Sequence, residues 1–168
     1  MAAASPSGSV SRVRLTSFNA LPEADAEAAL LTCCESRAFA RGVAAGRPYA
    51  SADAVIAAIE AAFASLTWPD VLEAMAGHPR IGTRVSGQSA AEQSGVTDDS
   101  RAVLVAGNVE YEERFGHVFL ISASGLSGPQ MLDALRERLK NDSPAERSVA
   151  TRELLKITVL RARKLVGG

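Results

Sequence analysis

Only two cysteines and two histidines occur in the 168 residues, and aromatic side chains make up just 5% of them. The cysteines, Cys33 and Cys34, are chain neighbours. Adjacent thiols close a disulfide only under strain and leave no loop for a conventional zinc site, so both read as buried helix residues. With His78 and His117 as the only imidazoles, there is no dense cluster of soft or borderline metal ligands, and no metal is expected. Charge of one sign is also lacking. The 18 Lys+Arg against 19 Asp+Glu give a net charge of −1, without the basic excess that binding to nucleic acid or an anionic membrane surface uses. Uncharged runs are too short for a membrane span, and the opening MAAASPSGSVSRVR has no uninterrupted apolar core like that of a secretory signal. The expectation is therefore a cytoplasmic protein with neither nucleic acid nor membrane as partner.

What is abundant is alanine, with 31 copies in a chain that is 47% hydrophobic and 22% charged. That composition suits a soluble globular domain whose interior is filled by small side chains, and alanine favours helix. Residues 1–16 lack periodicity and read as a flexible tail, leaving residues 17–168 as one helical domain. From Pro22 the apolar positions recur at helical spacing through Ala26, Leu30 and Cys33/Cys34. A second helix is expected from Ser36 to a stop at Gly46. Ser51 is the expected N-cap of a helix whose apolar face is Val55, Ile56, Ile59, Phe63 and Leu66. Thr67 with Asp70 signals another helix, ended by Gly77.

Residues 78–95 form the longest stretch poor in apolar side chains, the kind of internal loop where function tends to sit. After Thr97 a helix is expected with Leu104, Asn108, Tyr111 and Phe115 on one face. The run Val118 to Ser122 is strand-like but isolated, and reads as buried extended backbone. Two start signals follow, Ser127-Gly-Pro-Gln130 and Ser143-Pro-Ala-Glu146, the second with proline at the first helical position. The final helix has the stripe Ala150, Leu154, Ile157, Arg161, Leu165, which puts Arg161 among residues expected to be buried. The fold class is all-α, a compact bundle of about eight helices without significant sheet.

Three residues stand out chemically, each with two readings. His78 follows a helix C-terminus, where the dipole favours imidazolium, so it is either a cap of the last carbonyls or a proton donor near neutral pH. Glu92 completes Ser89-x-x-Glu92, a capping box, or else its carboxylate raises and orients a nearby imidazole. A buried Arg161 needs a structural carboxylate or an anionic ligand. Arg80 and Arg84 read as solvated charges, and Asn108, Tyr111 and His117 as packing residues.

The segments GHPRIG (77–82), SAAEQSG (89–95) and NVEYEERFGHVFLISASG (108–125), with the closing NDSPAERSVATRELLKITVLRARKL and the early ALPEADAEAALLTCCESRAFA, resemble the 2-oxo-4-hydroxy-4-carboxy-5-ureidoimidazoline (OHCU) decarboxylases over roughly residues 18–165. That resemblance implies cofactor-independent decarboxylation of OHCU to (S)-allantoin, the last step from urate to allantoin, in a homodimer. It implies catalytic roles for His78, Glu92 and Arg161, with His78 as proton donor. Substrate contacts would come from Pro79, Ser89, Gln93 and the backbone of Phe119, Leu120, Ile121, Ser122 and Ala123. The motif reads His-Pro-Arg-Ile-Gly where many relatives have aspartate and leucine after the proline, and the loop from His78 to Glu92 is shorter than theirs. The rival reading is a non-enzymatic helical ligand-binding or regulatory module.

Overall fold

The computed structural model describes residues 7–83 and 87–167, with side chains from Arg14 onward. Among these residues it is all-α. Nine helices run in the order α1 (Ser7–Ala20), α2 (Glu23–Leu31), α3 (Arg37–Ala45), α4 (Ala52–Ser65), α5 (Trp68–Ala76), α6 (Gly87–Glu92), α7 (Asp98–Phe115), α8 (Gly128–Arg138) and α9 (Ser143–Val166). No single helix among the described residues is long and apolar enough to cross a membrane. The chain divides into two compact units, Met1–Val71 with Leu155–Gly168, and Leu72–Leu154.

In the first unit the expected starts of α3 and α4 are present. Ser36 Oγ accepts the Phe39 N–H at 3.2 Å and Ser51 Oγ accepts that of Ala54 at 3.1 Å, each satisfying one orphan donor of a first turn. Thr67 and Asp70 cap α5 reciprocally, the Thr67 N–H donating to Asp70 Oδ2 at 2.8 Å and the Asp70 N–H to Thr67 Oγ1 at 3.4 Å. The core takes the predicted face of α4, with Val55, Ile56, Ile59 and Phe63 buried and the Phe63 ring edge-on to Phe39.

Three sequence expectations are corrected here. The tail expected to residue 16 gives way to α1 from Ser7, and residues 1–6 lie outside the described ones. Within it, Leu15 and Phe18 are buried. Its opening residues lack apolar periodicity, which is why the sequence hid it. Tertiary contacts fix its end: Arg47 donates to the carbonyls of Phe18 at 2.9 Å and Leu21 at 2.7 Å, a cation answering the exposed carbonyls of a helix C-terminus. Asn19 exchanges two 2.9 Å hydrogen bonds with the Tyr49 backbone.

Cys33 and Cys34 are buried, but they follow α2 rather than belonging to it; both backbone N–H groups close onto the Leu30 carbonyl. Arg161 is half-buried. The line that is fully covered along α9 is Ala150, Leu154, Thr158, Ala162 and Val166. This is a strict i+4 ridge, so the 4-3-4-4 stripe drawn from sequence drifts off it and leaves Arg161 at the rim.

Burial pushes the Cys34 thiol up to about 11, against smaller opposing effects of hydrogen bonds from the Ser36 backbone and Thr158 and of the Arg161 charge. A folded state that holds this proton more tightly gains stability that is complete below pH 9 and lost as pH climbs to 11, on the order of 2–3 kcal/mol. Urea midpoints measured across that window are expected to fall for the wild type and to fall less for Cys34→Ser; equal slopes in the two proteins would refute this.

Candidate active site

The second unit carries His78, and its local structure starts from the end of α5. The Gly77 N–H closes onto the Ala74 carbonyl and the His78 N–H onto Met75 at 3.0 Å, so the imidazole leaves the helix where unsatisfied carbonyls concentrate negative partial charge. Pro79 then prevents the helix from continuing. His78 and Pro79 are both half-buried.

The loop after them is gripped by its backbone. Asn108, buried on α7, donates Nδ2 to the carbonyls of Ile81 at 2.5 Å and Leu104 at 2.9 Å. Gln93 Oε1 accepts the Gly82 N–H at 3.2 Å, and Arg101 reaches the Gly82 carbonyl at 2.6 Å. Ile81 itself drops into a core with Leu104, Tyr111 and Phe119. Arg80, read as a solvated charge, is largely exposed but meets Glu112 through two contacts, Nε–Oε1 at 2.5 Å and Nη2–Oε2 at 3.1 Å. Arg84 lies outside the described residues.

Glu92 is not part of a cap in the way its spacing suggests. Ser89 is the third residue of α6 rather than the residue preceding it, and its carbonyl accepts the Gln93 N–H within the helix pattern. Glu92 ends α6 and is only 8% exposed. A carboxylate is disfavoured at a helix C-terminus, so the capping explanation for this residue is removed. Ser89 is half-buried, and Gln93 is buried with its side-chain oxygen spent on Gly82.

Residues 118–123 are non-helical, as expected, and Phe119, Leu120, Ile121 and Ala123 are buried while Ser122 is half-buried. They are reached through Gly116, which ends α7 in the left-handed region at φ 76° with its N–H on the Glu112 carbonyl, a conformation glycine adopts without steric cost. Arg138 donates Nη1 to the Leu120 carbonyl at 2.5 Å, and Glu153 Oε2 accepts the Ser122 N–H at 2.9 Å.

Behind this segment lies a buried polar network. Arg138 Nε and Nη2 meet Glu146 Oε1 at 2.7 and 2.6 Å, and the Tyr111 hydroxyl donates to the same oxygen at 2.5 Å. Asn141 donates to Glu146 Oε2 at 3.1 Å. The Arg138 guanidinium also lies over the Phe119 ring, 4.6 Å from its centroid. Burial and the hydrogen bond to Glu146 push the Tyr111 hydroxyl well above its ordinary range, so it stays a donor.

Glu146 was expected to cap the last helix, and that is corrected. Asp142 does so instead, Oδ1 accepting the Ala145 N–H at 2.9 Å, which frees Glu146 for the core and makes Ser143 the first helical residue and Pro144 the second. The box at Ser127 and Gln130 is present as expected.

A cleft of ≈ 270 Å³ opens beside His78, lined also by Met75, Arg80, His117 and Val118. His117 packs edge-on to Tyr111 and stacks with Phe115, as its packing role requires, yet it also faces this cleft. Its position after the helix-ending Gly116 is the signal that could have found it. Arg161 belongs to the first unit, where its charge acts on the thiols of Cys33 and Cys34.

A family model described as OHCU decarboxylase matches residues 19–163 of this chain. The uric acid degradation bifunctional protein TTL of Arabidopsis thaliana is 37% identical over 145 residues, which is 79% of this chain and 45% of that protein, so the chain spans less than half the length of this curated relative. Among solved structures, a crystal structure of OHCU decarboxylase in the presence of (S)-allantoin is similar with a TM-score of 0.74 and 34% identity, over 82% of this chain and 96% of that one. A crystal structure of (S)-allantoin synthase has a TM-score of 0.68 at 18% identity, over 90% and 53% of the two chains, and shows a shared fold.

Replacing the charge at the centre of the buried network is expected to be costly. Glu146→Gln leaves the Arg138 guanidinium buried without its countercharge and should lower the unfolding free energy by about 3–5 kcal/mol. A denaturant midpoint within experimental error of the wild type would show that the network contributes no stability.

Proposed function

This chain belongs to the OHCU decarboxylase family, the carboxy-lyases of urate degradation, and on that premise we propose that it converts OHCU to (S)-allantoin and carbon dioxide with His78 as the proton donor. Breaking the bond to the carboxylate leaves an electron pair on the ring carbon, which the conjugated oxo-imidazoline delocalises. The protein's contribution is to orient the ring and deliver a proton to one face of that carbon. His78 suits the second task because α5 ends just before it and the α5 carbonyl dipoles favour the imidazolium form. The observation that carries this reading is the grip of Asn108, Gln93 and Arg101 on the loop directly after His78, since proton transfer with stereochemical fidelity requires a donor held in place.

Glu92 is proposed to orient the imidazole, and its burial at the C-terminus of α6 supports a role other than capping. Arg161 is proposed to hold an anionic group of the substrate by its guanidinium fork. Residues 119–123 are proposed to read the ureido and ring amides through their backbone, with Pro79 and Ser89 as further contacts; Gln93 serves by fixing Gly82.

Substrate generated in situ from urate, followed by circular dichroism, tests the reaction directly. The wild type is expected to give a rapid (S)-allantoin signal, and His78→Ala to lose about 100-fold or more in rate with an unchanged melting temperature. A His78→Ala protein that keeps both rate and handedness would remove the proton-donor assignment. Slow racemic product with a well-folded wild type would favour the binding-module reading.

A homodimer is proposed as the working state. Its support is the outer face of α7, where Ala102, Val105, Ala106 and Val109 recur at i, i+3, i+4 and i+7 and all four are exposed, an apolar stripe on a helix whose opposite side already fills the core. Light scattering is expected to give twice the chain mass for the wild type and a shift toward monomer for Val109→Glu; a wild-type monomer at micromolar concentration would refute it.

A further inference from the structure

Residues 118–123 belong to no helix: the turn from the Leu126 N–H to the Ala123 carbonyl at 3.0 Å ties down their end, and the buried backbone before it needs other partners. Two side chains that the reaction does not use supply the partners. Arg138 donates to the Leu120 carbonyl and Glu153 accepts the Ser122 N–H. The two gripped groups are two residues apart, the repeat that brings backbone groups to the same edge of an extended chain. One grip is a donor and the other an acceptor, so together they fix both position and direction of the segment along that edge.

The grips are also linked through α9. Glu146, which locks Arg138, and Glu153 are seven residues apart on this helix and therefore share a face, two turns apart. Arg138 is 7% exposed and tied to Glu146 and Tyr111, whereas Glu153 is half-buried.

We infer that Glu153 is a positioning residue of the decarboxylation site, its carboxylate setting where the backbone of residues 119–123 meets the substrate. The inference rests on the proposed role of that segment in substrate binding. A carboxylate accepting a backbone N–H is a charge-assisted bond and stronger than a neutral one, and because Glu153 acts on backbone, the identity of the Ser122 side chain does not enter.

Three proteins test it: wild type, Glu153→Ala, and Glu153→Gln, which keeps an oxygen acceptor in the same place. Amide hydrogen exchange at Ser122 reads the grip, and initial rates on in situ OHCU read the function. Glu153→Ala is expected to exchange the Ser122 amide at least tenfold faster and to raise KM roughly tenfold, the worth of one such hydrogen bond, while kcat stays within about threefold and the melting temperature within a few degrees. Glu153→Gln is expected to recover most of both effects. A folded Glu153→Ala with wild-type KM overturns the inference and leaves the decarboxylase reading intact, as does a Gln variant no better than Ala. A wild type without OHCU turnover overturns both, and is recognised by His78→Ala being indistinguishable from it.

Discussion

The buried pair of Arg138 and Glu146 is the constraint on which the rest of the second unit depends. Burying two charges is expensive, and an apolar pair of the same volume is often at least as stable, so stability alone does not explain it. What the pair supplies is direction. The guanidinium uses Nε and Nη2 on Glu146, Nη2 also on the Tyr111 hydroxyl, and Nη1 on the Leu120 carbonyl. One planar group therefore sets α7, α8, the start of α9 and the non-helical run 118–123 relative to one another, with a fork whose geometry tolerates little slack.

The scarcity of aromatic side chains gives this place added weight. Tyr111, Phe115 and Phe119 gather with His117 around the guanidinium and around each other, whereas the buried rings of the first unit, Phe18, Phe39 and Phe63, sit among alanine and aliphatic side chains with no buried charge to frame. Rings provide large contact area with few rotatable bonds, which suits a region where a non-helical backbone has to be kept still.

Local signals in the sequence account for much of the fold. Ser36, Ser51, Thr67 and Ser127 each announce a helix through chemistry confined to four residues, and the buried face of α7 follows from period alone. The failures have two causes. Helix α1 ends on carbonyls collected by Arg47, which lies 26 residues beyond Leu21. Glu146 has the spacing of a cap but is drawn inward by Arg138 and Tyr111 once Asp142 takes the cap. Arg161 lies off the buried line because the i+4 ridge of α9 advances about 40° around the helix with each step, so a stripe kept to one face parts from it along a 24-residue helix. For α1 and Glu146 a distant partner outweighs a local pattern, and for Arg161 the winding of the ridge does. The proposed site divides the same way: a helix end marks His78 and an apolar run marks 119–123 as candidates, whereas Glu153 has no sequence signature, since the bond that singles it out reaches a backbone amide 31 residues earlier.

The grip on the loop after His78 uses main-chain atoms, the Ile81 carbonyl and both the N–H and the carbonyl of Gly82. Every peptide offers these groups whatever side chain it bears. Substitution at the exposed Arg80 is therefore inexpensive so long as Asn108, Gln93 and Arg101 keep their places and an apolar residue fills position 81, whereas Gly82, at φ 90° with Leu104 3.2 Å from where a Cβ would stand, has to stay glycine. What has to be kept in this device is the set of holding residues and one glycine, rather than the side chains of the residues held.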